Sequence, residues 1–275
     1  MDTAQAMVDA KAKEAGYDEK AYHGTGGAIT GDAFDKAMRG ENTGAPSAFK
    51  GFFFAGNKKL SDWYATTASA DQQLAEFDAA EADRASSVKA KQAEIIEILK
   101  GMDTQASQSV IDVVLENQAK YSDADSRAMV DAVFGKNTEV ERLRNEIDEI
   151  NSHPDTFKRQ EIIQADFLNP EGLLDILENR GETGAYFLKM ENPLEVDHKG
   201  DRGGESFAKL IDQAEAEGRD GVIVRNTEDP LPSDVFIALE SNQIKSSDPV
   251  TYDSDGNVIP LSQRFDAGRD EISFS

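Results

Sequence analysis

The sequence lacks cysteine and has little histidine, tryptophan or proline: three His, one Trp and eight Pro in 275 residues. Without thiols there is no disulfide framework and no cysteine-ligated zinc or iron–sulfur site. Such a chain suits a reducing compartment, and a cytoplasmic location is expected. Basic residues are also scarce, with 29 Lys and Arg against 53 Asp and Glu, a net charge of −24. A protein that grips duplex nucleic acid by neutralising phosphates needs the opposite balance. No apolar run approaches the ~18 residues of a membrane span. The first twenty residues carry Asp2, Asp9, Lys11, Lys13 and Glu14 without a basic start or an apolar core, so neither a membrane partner nor a secretory signal is expected. The phosphate-loop, GxGxxG and HExxH signatures are absent. The turn from Asp253 to Asn257 resembles part of a calcium loop, but the position that requires Glu holds Ser262, and no metal is expected.

What is present divides by texture. An Ala-rich helix over 2–15 ends at Gly16, and a short strand at Ala21-Tyr22-His23 runs into Gly24-Thr25-Gly26-Gly27. The aromatic run of Phe52, Phe53 and Phe54 between Gly51 and Gly56 predicts a buried strand, and residues 58–68 a helix. From 69 to 182 glycine becomes scarce and apolar residues recur at helical spacing, with 25 acidic and 12 basic residues. The stripes Ile95, Ile96 and Leu99, then Val110, Val113 and Val114, then Met129, Val130 and Val133, then Val140, Leu143, Ile147 and Ile150 predict a helical bundle core. Pro154 and Pro170 stand where new helices could begin. After Glu182 the strand texture returns: Tyr186 to Met190, Val222 to Val224, Val235 to Leu239 and Gln243 to Ser246, with a helix over 207–216 and a loop over 228–233. Two β-rich segments thus flank a helical insertion. The expected division is 1–68 and 183–265 as one core, 69–182 as the insertion and 266–275 as a tail.

Among the histidines, His153 and His198 lie in polar loops and read as solvated. His23 ends a strand at a glycine-rich loop, where a ring can be held beside a cleft while backbone approaches a ligand. One window stands out in charge: between Lys36 and Lys59 five basic residues, Arg39 and Lys50 among them, face the single acid Glu41. A guanidinium there is suited to a pyrophosphate.

Tyr22-His23-Gly24-Thr25, followed by the aromatic strand with Ser61 and Tyr64 behind it, resembles the NAD-binding core of the ADP-ribosyltransferase superfamily in its His-Tyr-acid branch. The segments Tyr186 to Leu194, Asp220 to Ile223, Ser233 to Ile237, Gln243 to Ser246 and Pro260 to Phe265 resemble the ADP-ribosyltransferase-like domains of phage and mobile-element polyvalent proteins. The resemblance covers about residues 15–68 and 183–265, not the insertion. It implies an α+β fold: a split β core of two packed sheets with the NAD cleft between them, carrying a large helical insertion.

The resemblance also implies roles. His23 would donate a hydrogen bond to a ribose hydroxyl, Gly24 would offer backbone groups to the nicotinamide amide, Thr25 would support the ribose, and Arg39 or Lys50 would meet the pyrophosphate. Tyr64 would stack on the nicotinamide ring, Ser61 would bond its carboxamide, and Phe53 stands where the family commonly has Tyr. Cleavage of the N-glycosidic bond passes through an oxocarbenium-like ribosyl centre that needs a nearby carboxylate. The position where the polymerase-like branch has Glu holds Val235, so Asp234 is the expected acid, Gln243 a second candidate and Glu240 a weaker third. The implied activity is mono-ADP-ribosyl transfer from NAD, as co-substrate, to a host macromolecule by a phage-type enzyme. Two alternatives stay open: a degenerate module that holds NAD or ADP-ribose without chemistry, and an acidic insertion that occupies a basic host protein.

Overall fold

The computed structural model describes residues 2–27, 33–40, 44–120, 123–152, 155–168, 177, 179–200, 206–228, 230–253 and 255–269. Pro154, Pro170 and His153 lie outside them. The chain forms two compact units, 1–72 with 165–275, and 73–164. The class is α+β, with seven helices and one mixed sheet of seven strands among the described residues.

In the first unit α1 (Asp2–Glu14) precedes β1 (Glu19–Thr25), β2 (Phe52–Ala55) and α2 (Lys58–Lys100); β3 (Glu182–Leu188), β4 (Leu194–Asp197), α7 (Phe207–Ala216), β5 (Gly221–Glu228), β6 (Pro232–Ala238) and β7 (Ile244–Ser246) follow the helices of the second unit. The sheet order is β4-β5-β6-β2-β1-β3-β7. β4 and β5 are parallel and joined through α7; the other neighbours are antiparallel. β1 pairs with β3 over its whole length, from Glu19↔Leu188 to Thr25↔Glu182, and β2 pairs with β6 from Phe52↔Ala238 to Ala55↔Val235. Between β1 and β2 there is a single pair, Tyr22↔Ala55. The two packed sheets expected from the sequence are therefore two halves of one sheet, hinged at that pair.

Strand alternation divides the apolar residues between the faces. Val222, Val224, Val235 and Ile237 pack under Leu210, Ile211 and Ala214 of α7 and Leu60 of α2. The other face gathers Ala21, Tyr186 and Leu188 from one half with Phe54, Ile223 and Phe236 from the other. Phe34, from the loop after β1, fills the centre of that cluster, its ring within 5.5 Å of the rings of Phe52, Phe54 and Tyr186. Behind β3, α1 sets Val8 and Ala12 with Tyr17 against Phe187 and Phe265. The segment 228–233, expected as a loop, is the connection between β5, which runs to Glu228, and β6, which starts at Pro232, so that its two ends are strand; a bulge lies between Val224 and Thr227, where Asn226 takes φ 51°.

The helix expected to stop at 68 continues to Lys100, 43 residues in all, because no Gly or Pro interrupts it. Its later turns belong to the second unit, with α3 (Gln108–Lys120), α4 (Ala124–Phe134), α5 (Thr138–Asn151) and α6 (Asp155–Leu168). Ile95, Leu99, Val114, Val130, Phe134, Val140, Leu143 and Ile147 form its core. Val110 and Val113 are exposed, so the α3 stripe contributes only Val114. Asp123 and Asn137 cap α4 and α5 through their side chains. Arg144, 2 % exposed, is held by Asp131 and Glu141, and Arg127 pairs with Asp148, Lys91 and Arg142 with Glu146. These four acids of the unit thus have their partners within it.

Candidate functional site

β1 and β2 separate after Tyr22↔Ala55, and the imidazole of His23 fills the opening. Its Nδ1 lies 2.8 Å from the carbonyl oxygen of Phe53. A carbonyl can only accept, so Nδ1 carries the proton of this bond. The ring sits edge-on to Phe34 at 5.1 Å and tilted against Phe54 at 5.4 Å. Desolvation lowers its pKa below the ordinary 6.5, opposed by the bond to Phe53. The neutral ring with hydrogen on Nδ1 presents Nε2 as a lone pair. In this tautomer Nε2 can only accept, the reverse of the donor role expected.

The cavity beside it measures about 530 Å³, within the ~300–1,000 Å³ usual for small-molecule sites. Of the expected cofactor-binding residues, His23, Gly24, Thr25, Arg39, Phe53, Ser61 and Tyr64 border it. The first turns of α2, opened by Asn57 accepting from the N–H of Leu60, form one wall. Gly24 is required there, because a Cβ on it would lie 2.1 Å from the carbonyl oxygen of Ser61. That close approach of β1 to the helix buries Ser61 to 1 % exposure and leaves its Oγ without a hydrogen-bond partner. Tyr64 borders the same space, its ring edge-on to Trp63 at 5.2 Å. Phe53 meets the ring of Phe207 at 5.7 Å.

At the other end, Arg39 lies 4.3 Å above the ring of Phe52 and donates from Nη1 to the carbonyl of Lys50 (3.1 Å) and from Nη2 to that of Leu239 (2.5 Å). Its Nε is buried without a partner. Burial lowers its pKa, and Glu240 and Glu215 oppose the shift. Lys50, the other expected phosphate ligand, pairs with Asp212 and does not border the cavity.

The expected acids are not brought to this place. Asp234 points across β6: its carboxylate accepts from Arg225 Nη1 and from the N–H of Asn226, both at 2.9 Å, and lines a separate depression of about 700 Å³ with Asp197, Asn226 and Glu228. Gln243 is buried with both amide atoms bonded to backbone, and Glu240 pairs with Lys36 at 2.6 Å. On β6 it is Val235 that borders the cavity. Successive strand residues face opposite ways, so the one-residue offset between Val235 and Asp234 decides which enters. Asp35 is the one carboxylate residue among the described lining residues, and its Oδ1 accepts from the N–H of Ala37.

Phe34 and Phe207 are site residues that the sequence pattern does not single out, and Val235 enters it only as the place where the polymerase-like branch has Glu. Phe34 stands alone in a polar loop, and Phe207 reads as the apolar start of α7. His198, expected to be solvated, is half-buried: its ring stacks on Phe207 at 6.3 Å and its Nε2 is buried without a partner. Among the described residues no cluster of His, Asp or Glu is arranged to hold a metal, and no helix is long and apolar enough to cross a membrane. No protein-family model matches the chain, and no curated protein or solved structure matches it significantly.

Proposed function

We propose that the chain is an ADP-ribosyltransferase-like module that binds NAD, or its ADP-ribose part, in the cavity between β1 and β2, and that it binds without cleaving. The observation that carries the reading is a cavity bordered by His23, Ser61, Tyr64 and Arg39, with the Oγ of Ser61 buried and unpartnered in its wall. A hydroxyl left unbonded in a dry wall is costly unless a ligand bonds it, and a carboxamide fits that need. A ribose hydroxyl would donate to Nε2 of His23, a flat base would lie against Tyr64 and Phe53, and the free Nε–H of Arg39 would meet a phosphate oxygen. Val235 in place of a carboxylate leaves a ribosyl cation without a counter-charge, which is the ground for binding rather than chemistry.

The transferase reading, with a host macromolecule as acceptor, keeps one observation in its favour: Asp35 borders the same cavity. The test is nicotinamide release from NAD by the purified chain, with and without bacterial lysate, beside His23→Ala and Asp35→Asn. Saturable NAD binding with no release in either condition supports the module. Release that depends on lysate and is lost in both variants establishes the transferase instead.

A further inference from the structure

Gln243 lies outside the cavity, yet its side chain organises one wall of it. Oε1 accepts from the N–H groups of Leu239 (2.9 Å) and Glu240 (2.8 Å), while Nε2 donates to the carbonyls of Lys189 (3.0 Å) and Asp220 (2.9 Å). One acceptor with two lone pairs and two donor hydrogens are all used, so the turn 239–243 is fixed to the end of β3 and to the turn before β5. That turn in its own right holds the loop over the cavity at three points. The carbonyl of Leu239 accepts from Arg39 Nη2 at 2.5 Å, Ser241 Oγ donates to the carbonyl of Phe34 at 2.5 Å, and Glu240 pairs with Lys36. Phe34 in turn stands nearly perpendicular to the ring of His23, 5.1 Å between centroids.

The described residues of this loop make no strand pairing and form only the 3-10 turn Lys36–Met38 and short hydrogen-bonded turns, so their placement depends on the burial of Phe34 and on side-chain bonds. The exposed Lys36–Glu240 pair adds little to it. The bonds to Leu239 and from Ser241 are the strong ones, and both need the turn where Gln243 puts it.

We propose that Gln243 is a positioning residue for the cavity: it holds the 239–241 turn so that Phe34 is seated against His23 and Arg39 against Phe52, and so sets ligand affinity without touching the ligand. The proposal holds whichever ligand the cavity takes.

The test is the histidine ring NMR spectrum of the full chain, without ligand, for the parent, Gln243→Glu and Ser241→Ala, with thermal melting and NAD titration alongside. Glu keeps the acceptor toward Leu239 and Glu240 and loses both donors. The expected result is that the His23 ring signals, displaced in the parent by the Phe34 ring, move toward ordinary imidazole values in both variants, while those of His198 stay. NAD affinity falls about tenfold where NAD binds. If Gln243→Glu melts lower but leaves the His23 signals in place, Gln243 is only a structural brace and the proposal is overturned. Should Gln243→Glu fail to fold, Ser241→Ala decides: unchanged His23 signals overturn the proposal. The spectrum needs no NAD, so a failure of NAD binding is distinguishable from a failure of this inference.

Discussion

The Nδ1 of His23 stands 2.8 Å from the carbonyl oxygen of Phe53, two residues before Ala55, where β2 makes its one pair with β1. The ring thus takes up a strand carbonyl at the point where the sheet opens. It ties the end of β1 to β2 across the opening and spends its proton in doing so, which leaves Nε2 as an acceptor.

Acid should undo this arrangement. Burial lowers the His23 pKa below 6.5, so between 6.5 and the folded value the unfolded chain binds more protons than the folded one. Stability from this group is therefore intact above pH 6.5 and is lost as pH falls through that window. Protonation also turns Nε2 into a donor, so ligand affinity falls in step. Melting curves of the parent and His23→Gln at pH 7.5 and pH 5.5 check it: the drop between the two pH values should be smaller in the variant.

Ser61→Ala separates stability from binding. Removing a buried hydroxyl that has no partner raises the stability of the free protein by about 1 kcal/mol, while affinity for NAD falls about tenfold. A melt and a titration on the same preparation measure both. Equal affinity in the two proteins would show that Oγ does not face the ligand.

Two glycines of one motif should respond differently. A Cβ at Gly24 meets the Ser61 carbonyl at 2.1 Å and the Ala65 nitrogen at 2.9 Å, and helix backbone cannot step aside cheaply. Gly24→Ala should cost about 3 kcal/mol or more in denaturant unfolding. At Gly27 a Cβ meets only the end of Gln72, at 3.9 Å, and Gly27→Ala should stay within about 0.5 kcal/mol of the parent.

Much of the fold is legible in the sequence. The Gly-Phe-Phe-Phe run, the Val-Ile-Val and Val-Phe-Ile segments and the α7 stripe all carry the period of the element they form, and they become β2, β5, β6 and α7. His23, Gly24, Thr25, Arg39, Phe53, Ser61 and Tyr64 border one cavity because the end of β1, the strand β2, the start of α2 and the loop that carries Arg39 meet there. What the sequence hides depends on direction and on non-local contact. Asp234 and Val235 differ by one residue and so by a whole sheet face, and no periodicity settles which faces the cavity. Lys50 looks free in sequence and finds Asp212, 162 positions away. Phe34 has no local pattern because its partners come from three strands.

The β6 wall offers a gain-of-function test. Val235→Glu places a carboxylate at the cavity and should give measurable nicotinamide release where the parent gives none, at a cost of about 2–4 kcal/mol for burying the acid among apolar residues. Asp234→Asn, which acts on the Arg225 side of the strand, should leave NAD affinity unchanged and lower stability by about 1–2 kcal/mol. Nicotinamide quantification and melting of both variants check the pair.

The most direct measurement is a calorimetric titration of NAD into the full chain, with the cell contents assayed for nicotinamide at the end. The account predicts saturable one-site binding and NAD recovered intact. A folded protein that gives no saturable heat at millimolar NAD would contradict the assignment of the cavity. Binding accompanied by nicotinamide release would contradict the view that the missing carboxylate makes this a module that holds its ligand.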